Sequence, residues 1–431
     1  MKIVYLITGS GGSFYCANCY RDMLYVRAIR KVPGTTAKAI PLYLPPDEDV
    51  DQEHEMDTHV FFGAISMYLR EKVRIFRNMP MFLEKFFRLK PFLKLAARMA
   101  GTTRSEGLED MTLNMIKGDA TFRKDEVDRL VNYLNSEGKP DIIHLSNALI
   151  LGLARQLKKR MDVKTVCSLL NEDDWVIDMA ESYQRKAWEM MAEESEYIDA
   201  FITPSKYSKE QFIRETGVKG DNIHIVPLGF DPPEYERPGE QSRPPTIGYF
   251  CRVSEHNGFD KLVDAFIDIK TRNLIPDLVF HVCGGYTGDD KQFISRQIKK
   301  IRDNDLHKSI KLCNEFSGNQ KAHFFENVDV ISVPVRKLDG YGLYILEANG
   351  AGVPVVQPAT GAFPEILEKT GGGIIYSPDT VSELSKNLVK ILTDHDLRKK
   401  LGETGSVNVR SELSLDKMAE GLSAVYSKIS T

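Results

Sequence analysis

The chain reads as an α/β protein of two Rossmann-like, doubly wound parallel-sheet domains. Three observations predict this. Short apolar strands alternate with helical stretches, the pattern of a parallel sheet covered on both faces. The alternation runs through the first half, stops at a stretch rich in Pro, Gly and charge at 227–245, and then restarts. Finally, 431 residues exceed what one hydrophobic core serves, so two domains of roughly 200 residues are expected.

In the first half, strands are expected at 2–8, 141–145, 164–169, 200–203 and 223–226, with helices at 19–31 and 149–160. In the second half they are expected at 246–250, 278–282, 310–312, 330–333 and 353–356, and a helix begins near Leu343. A last helical region is expected at 411–428. The domain boundaries are then 1–232 and 246–410, with 411–431 as a C-terminal helix.

Composition narrows the function classes. A formal net charge of −4 excludes a generally basic nucleic-acid binder. No stretch approaches the length of uninterrupted apolar residues that a membrane span needs. The opening MKIVYLIT is a strand leading into glycines and lacks the form of a signal peptide. Six cysteines without a secretory signal fit a reduced, cytoplasmic protein.

The stretch from Asp339 to Leu367 carries the most chemistry. Gly340 and Gly342 let backbone approach a ligand where a Cβ would obstruct it. The helix starting near Leu343 points its unsatisfied N–H groups and positive dipole end at that place, which favours a phosphate. Two carboxylates, Asp339 and Glu347, flank it and can only accept hydrogen bonds when ionised, which suits hydroxyl groups. Phosphate and hydroxyls together describe a sugar nucleotide; a structural βα turn with acidic neighbours is the plainer alternative.

The segment resembles the donor-binding signature of retaining GT-B glycosyltransferases of family 4. Gly352-Val353-Pro354-Val355-Val356 and Gly361-Ala362-Phe363-Pro364-Glu365 follow that family's order, while Asp339 stands where it usually has Glu. Cys251-Arg252-Val253 resembles its Gly-Arg-Leu stretch, and Asn257 occupies the place of its Lys. Pro140-Asp141-Ile142-Ile143-His144-Leu145-Ser146 is similar to its Pro-Asp-Val-Val-His-x-His.

The resemblance implies a metal-independent glycosyltransferase with an N-terminal acceptor-binding domain and a C-terminal nucleotide-sugar-binding domain facing each other across a cleft, the 411–431 helix returning to the first of them. It moves a sugar from a UDP- or GDP-linked donor, with no other cofactor, to a hydroxyl of a glycan, lipid-linked or small-molecule acceptor, retaining configuration. Asp339, Arg252 and His144 are the candidate catalytic residues. Glu347 is expected on the ribose hydroxyls, and the backbone N–H groups of Leu343, Tyr344 and Ile345 on the diphosphate. Asn257, Gly340, Gly342, Gly284 and Glu315 complete the donor side. Gly11, Gly12, Glu172 and Asp173 form the acceptor side, although acidic clusters also cap helices, and a His ending a buried strand is often structural. The rival reading, resting on Asn257 and Asp339, is a non-catalytic sugar-nucleotide sensor or partner subunit.

Three further features have alternatives. In the first glycine loop Phe14 stands where G-x-G-x-x-G needs its third glycine, so a dinucleotide fingerprint is not supported. Cys16 and Cys19 form a lone pair without a second at zinc-finger spacing, and Cys251, Cys283 and Cys313 fall at strand ends as small buried residues or as a metal or redox cluster. From 61 to 104, basic residues interleave with aromatics, which suits peripheral contact with an anionic membrane on its inner face or an acidic, lipid-linked acceptor. A helical insertion packed on the first domain is the alternative there, and no nucleic-acid recognition motif accompanies the patch.

Overall fold

The computed structural model describes residues 1–8, 17–42, 108–118, 124–170, 172–235, 243–313, 318–337 and 339–430. The first glycine loop with Gly11, Gly12 and Cys16, the 61–104 stretch, Asn171 and Glu315 lie outside them. The chain forms two compact units. One comprises Met1–Gly12, Asn18–Pro227 and Asp416–Thr431; the body of the other is Leu228–Leu415.

The first unit holds a six-stranded sheet in the order β2-β1-β3-β4-β5-β6. These strands are β1 (Lys2–Ile7), β2 (Thr36–Pro41), β3 (Ile142–Leu145), β4 (Lys164–Ser168), β5 (Ala200–Thr203) and β6 (Ile223–Ile225). Every pairing is parallel, for example Ile3↔Ile142 and Val166↔Ala200. Parallel neighbours need crossovers, and helices such as Ala17–Arg30 and Lys206–Thr216 supply them. Strands covered on both faces are mostly apolar, and β1, β3, β4 and β5 are buried almost end to end.

The second unit repeats the plan with β12-β11-β10-β7-β8-β9, again all parallel. Its strands are β7 (Thr246–Phe250), β8 (Val279–Cys283), β9 (Ile310–Leu312), β10 (Val330–Ile331), β11 (Val355–Pro358) and β12 (Gly373–Tyr376). Phe250, Phe259, Phe266, Phe280 and Phe324 are fully buried in its core.

The structure adjusts several expected elements. The helix expected at 149–160 is a tight turn, Ala148–Ile150, followed by a helix at Gly152–Lys158. The strand expected at 353–356 lies at Val355–Pro358, because Pro354 has no N–H to give a ladder and contributes only its carbonyl, to Ile331. The helical region at 411–428 is divided: one helix, His395–Glu412, ends beside Leu413, and another, Leu415–Ser430, begins just after. The Leu413 amide closes the first helix by donating to the Val409 carbonyl at 3.2 Å, the Leu413 carbonyl accepts from the Phe230 amide, and Asp231 accepts from the Leu415 amide, so the break is held by side-on contacts. Among the described residues, no helix is long and apolar enough to cross a membrane.

Candidate functional site

In the second unit the residues of interest sit at the carboxyl ends of the strands, where doubly wound sheets bind ligands. Gly342 caps the Leu343–Gly350 helix in the left-handed conformation, φ 48°, which a glycine adopts without cost. Asp339 holds this turn. Its Oδ1 accepts the amides of Tyr341 and Gly342, both at 3.0 Å, and its Oδ2 accepts the Tyr344 hydroxyl at 3.3 Å. The Asp339 carbonyl accepts the Ala362 amide at 2.8 Å, tying the two turns of the segment together. Gly361 is required there, since a Cβ would lie 2.3 Å from the Asp339 carbonyl oxygen. Asp339 therefore shapes the glycine turn. Of the three amides expected to meet a diphosphate, that of Ile345 is bonded to the Gly342 carbonyl at 2.8 Å, which narrows the set to Leu343 and Tyr344.

Glu347 is on the same helix and has no exposed surface. A buried carboxylate needs a partner, and Lys321 of the Gly318–Glu326 helix supplies one through an ion pair to Oε1. The Lys321 ammonium also stands over the rings of Phe250 and Phe230, at 5.8 and 6.0 Å from their centroids. Lys321 escaped the sequence reading. The only signal for it is its place on a helix whose Phe324 and Phe325 turn into the core.

After β7, Arg252 makes a two-pronged ion pair with Asp290, Nε to Oδ2 at 2.9 Å and Nη2 to Oδ1 at 3.1 Å, and Nη2 also reaches Thr287 at 3.1 Å. Asp290 in turn accepts the Thr287 amide and hydroxyl at 3.0 and 2.8 Å. That T-x-x-D spacing is a readable capping pattern. Asn257 braces the same loop, its side-chain amide donating to the Arg252 carbonyl at 2.9 Å. The following residue, Gly258, has φ +69°, and a Cβ there would lie 1.8 Å from the Pro334 oxygen. Gly284, φ +136°, packs equally tightly: a Cβ would lie 2.1 Å from the Cys251 carbonyl oxygen.

These groups gather at one place. Strands β10, β7 and β8 are parallel neighbours, so the residues that follow them lie at one edge of the sheet, where burial pushes the Cys251 thiol well up. Burial likewise raises the Cys283 thiol, which feels Cys313, Lys321 and Glu347. The ends of β7 and β8 and the start of the Leu343–Gly350 helix thus share one polar neighbourhood with charges of both signs. Such a place can take an anion with hydroxyl groups.

In the first unit, His144 is enclosed. It is 1% exposed. Its Nδ1 bonds the Tyr426 hydroxyl at 2.7 Å and its Nε2 the Ser168 hydroxyl at 2.8 Å. Tyr5 stacks on it with centroids 4.7 Å apart, and the Tyr5 and Tyr426 hydroxyls bond at 2.6 Å. Burial, and then the Arg21 guanidinium, keep this imidazole neutral, well below its ordinary pKa. Arg21 is itself fully buried, paired with Asp22 and donating to the Ser146 carbonyl at 2.8 Å. Glu172 accepts the Ala148 amide at 2.9 Å and the Leu170 amide at 2.7 Å, and burial pushes its carboxyl up to about 7. Asp173 is half-buried beside it. In this structure His144 and Glu172 brace the sheet's ends.

Two parallel six-stranded sheets with flanking helices define the GT-B class, and this chain has that fold. Residues 232–407 match the family model Glycosyl transferases group 1, and residues 114–234 match Glycosyltransferase Family 4. The matches and the fold together support a GT-B group 1 glycosyltransferase. Sucrose-phosphate synthase from Thermosynechococcus elongatus is similar at a TM-score of 0.72 and 17% identity, over 100% of this chain and 99% of that one. Anabaena HepE in complex with UDP-glucose is similar at 0.71 and 14% identity, over 99% and 100%. At these identities the likeness is one of fold. The D-inositol 3-phosphate glycosyltransferase of Corynebacterium jeikeium is 24% identical over 219 residues, 48% of this chain and 52% of that protein. The GDP-mannose-dependent monoacylated alpha-(1-6)-phosphatidylinositol monomannoside mannosyltransferase of Corynebacterium glutamicum is 24% identical over 187 residues, 42% and 46%. The chain spans about half the length of these two curated relatives.

Proposed function

We propose that the protein transfers a sugar from a nucleoside-diphosphate donor to an acceptor hydroxyl with retention of configuration, and that the second unit binds the donor. The observation that carries this reading is that neighbouring parallel strands bring to one edge of the sheet the glycine-bent start of the Leu343–Gly350 helix, with the buried Glu347 on it, and the loop that holds the Arg252 guanidinium. A helix start and a guanidinium suit a diphosphate. Asp339 keeps the turn in shape so that the amides of Leu343 and Tyr344 can face it. As charge develops on the leaving diphosphate, these fixed donors stabilise it, and its oxygen takes up the acceptor's proton. Glu347 accepts from the ribose hydroxyls, with Lys321 balancing its charge. The donor base stays with the experiment, since HepE was solved with UDP-glucose and the Corynebacterium glutamicum relative is named for GDP-mannose.

One observation favours a second reading, binding without transfer: Asn257 supplies no cation and its side-chain amide is engaged with the Arg252 carbonyl. Thermal-shift titration with UDP, GDP and their sugars tests the first point, and hydrolysis of the stabilising sugar nucleotide separates the two. A nucleotide shift that survives in Glu347→Gln overturns the site; a shift with no turnover under any acceptor selects the second reading.

A further inference from the structure

We propose that Cys283 and Cys313 are a redox pair that a peroxide closes into a disulfide, and that closure weakens nucleotide binding. The second clause rests on the function proposed above; the first does not. The placement follows from the sheet. Strands β8 and β9 run parallel in the register Phe280↔Ile310, His281↔Lys311 and Val282↔Leu312, and the Cys313 amide donates to the Val282 carbonyl at 2.8 Å. The next opposed pair is Cys283 and Cys313. Residues opposed in a parallel ladder project from the same face, and adjacent strands lie about 4.8 Å apart. That is inside the Cα window of roughly 4.4–6.8 Å for a disulfide, and closure then needs the Cβ atoms to draw in to roughly 3.5–4.5 Å, a small shift at the free end of β9. Cys251 is less well placed, because Phe250 is the residue opposed to Cys283 and Cys251 falls one position beyond it.

The pair is asymmetric in a useful way. Cys283 is fully buried, whereas Cys313 is partly exposed, just past the last residue of β9, with its Sγ 3.3 Å from the Gln320 Oε1. Cys313 is therefore the sulfur an oxidant reaches first and Cys283 the one that resolves it. A peroxide oxidises the Cys313 thiol to a sulfenic acid and leaves as water. The Cys283 thiol then attacks that sulfur, the S–S bond forms, and the sulfenic oxygen departs as a second water. Two electrons pass from the two sulfurs to the peroxide. Closure draws Cys313 from Gln320, the residue beside Lys321 on the Gly318–Glu326 helix. Lys321 in turn carries the charge balance of Glu347, so the link reaches the proposed ribose contact through two consecutive residues of that helix.

The test uses the full chain, reduced, desalted and exposed to hydrogen peroxide, then alkylated and digested with trypsin without reductant. The expected product is a linked pair of peptides, one bearing Cys283 and one bearing Cys313, that dithiothreitol separates and that Cys313→Ser does not form. A link from either cysteine to a different one overturns the pairing. So does oxidation of Cys313 that stops at sulfinic acid while Cys283 stays alkylated, and so does a pair of cysteines that both stay alkylated. On the same samples, the thermal shift with UDP or GDP is expected to be lost in the linked form, to return with dithiothreitol and to persist through peroxide in Cys313→Ser. An equal shift in linked and reduced protein overturns the coupling. Absence of any nucleotide shift in reduced protein overturns the proposed function and leaves the linked peptides to stand by themselves.

Discussion

At the scale of single residues, charge balance decides most of what the site can do. Glu347 is legible in the sequence because the acid lies at a fixed distance beyond the glycine turn; its partner is not, because Lys321 comes from a different helix. Removing one member of a buried pair strands the other, so Lys321→Met is expected to cost about 3–5 kcal/mol in urea unfolding, and Lys321→Met with Glu347→Gln to recover most of it. His281 offers a pH test. It is buried on β8 against the Phe324 ring, and burial, with Lys311 and His323 nearby, pushes its imidazole down from 6.5 to about 4. Between those values the unfolded chain holds a proton that the folded chain does not. Its contribution is present above the unfolded pKa and is lost as the pH falls through that window. Denaturation of His281→Gln beside the parent should show the parent losing roughly 3 kcal/mol more from pH 6.5 to 4. Parallel losses in both would remove His281 as the cause. His144, a catalytic candidate from its family-like position, bonds two hydroxyls, one from a helix far along the chain.

At the scale of elements, the central strands were readable because burial on both faces leaves long apolar runs, as in Thr246–Phe250 and Ala200–Thr203. The two strands that the pattern does not show, β2 and β12, are both edge strands. An edge strand has one paired neighbour and less cover, so its residues can be mixed. β2 includes Lys38, which reaches the Tyr133 hydroxyl at 2.9 Å, and β12 is only half-buried over most of its length. Loop shape was less legible than strands. A glycine after Asn257 signals a bend, but only the structure shows that Gly258 touches the Pro334 carbonyl. Gly258→Ala combines a positive φ, costing about 1–3 kcal/mol by itself, with an impossible Cβ contact. It should unseat Asn257 from the Arg252 carbonyl. The expected outcome is a lower melting temperature together with loss of the nucleotide thermal shift; retention of both would show that the loop adapts.

At the scale of the whole molecule, the chain crosses between its units more than once, and its last helix belongs with the first sheet. Met418, Leu422 and Tyr426 are buried, and Gly421 lets that helix approach Val226 so closely that a Cβ would lie 2.9 Å from its Cγ1. Truncation after Leu415 should therefore destabilise the first unit, exposing Tyr5 and His144, and leave the second unit's nucleotide shift in place. Hydrogen exchange across β1 and β3 is the direct readout; unchanged protection there would sink the idea. By itself, the sequence determined the repeated α/β plan, the glycine turn from Asp339 to Gly342 and the helix that follows, because these depend on local periodicity and on backbone conformations that particular residues permit. The tertiary structure alone decided which charges meet, that Lys321 answers Glu347, that Asp290 holds Arg252, that two cysteines stand opposed, and that His144 is sealed by Tyr426. Such meetings depend on strand order and register, which bring together residues tens or hundreds of positions apart, and no local pattern in the chain encodes them.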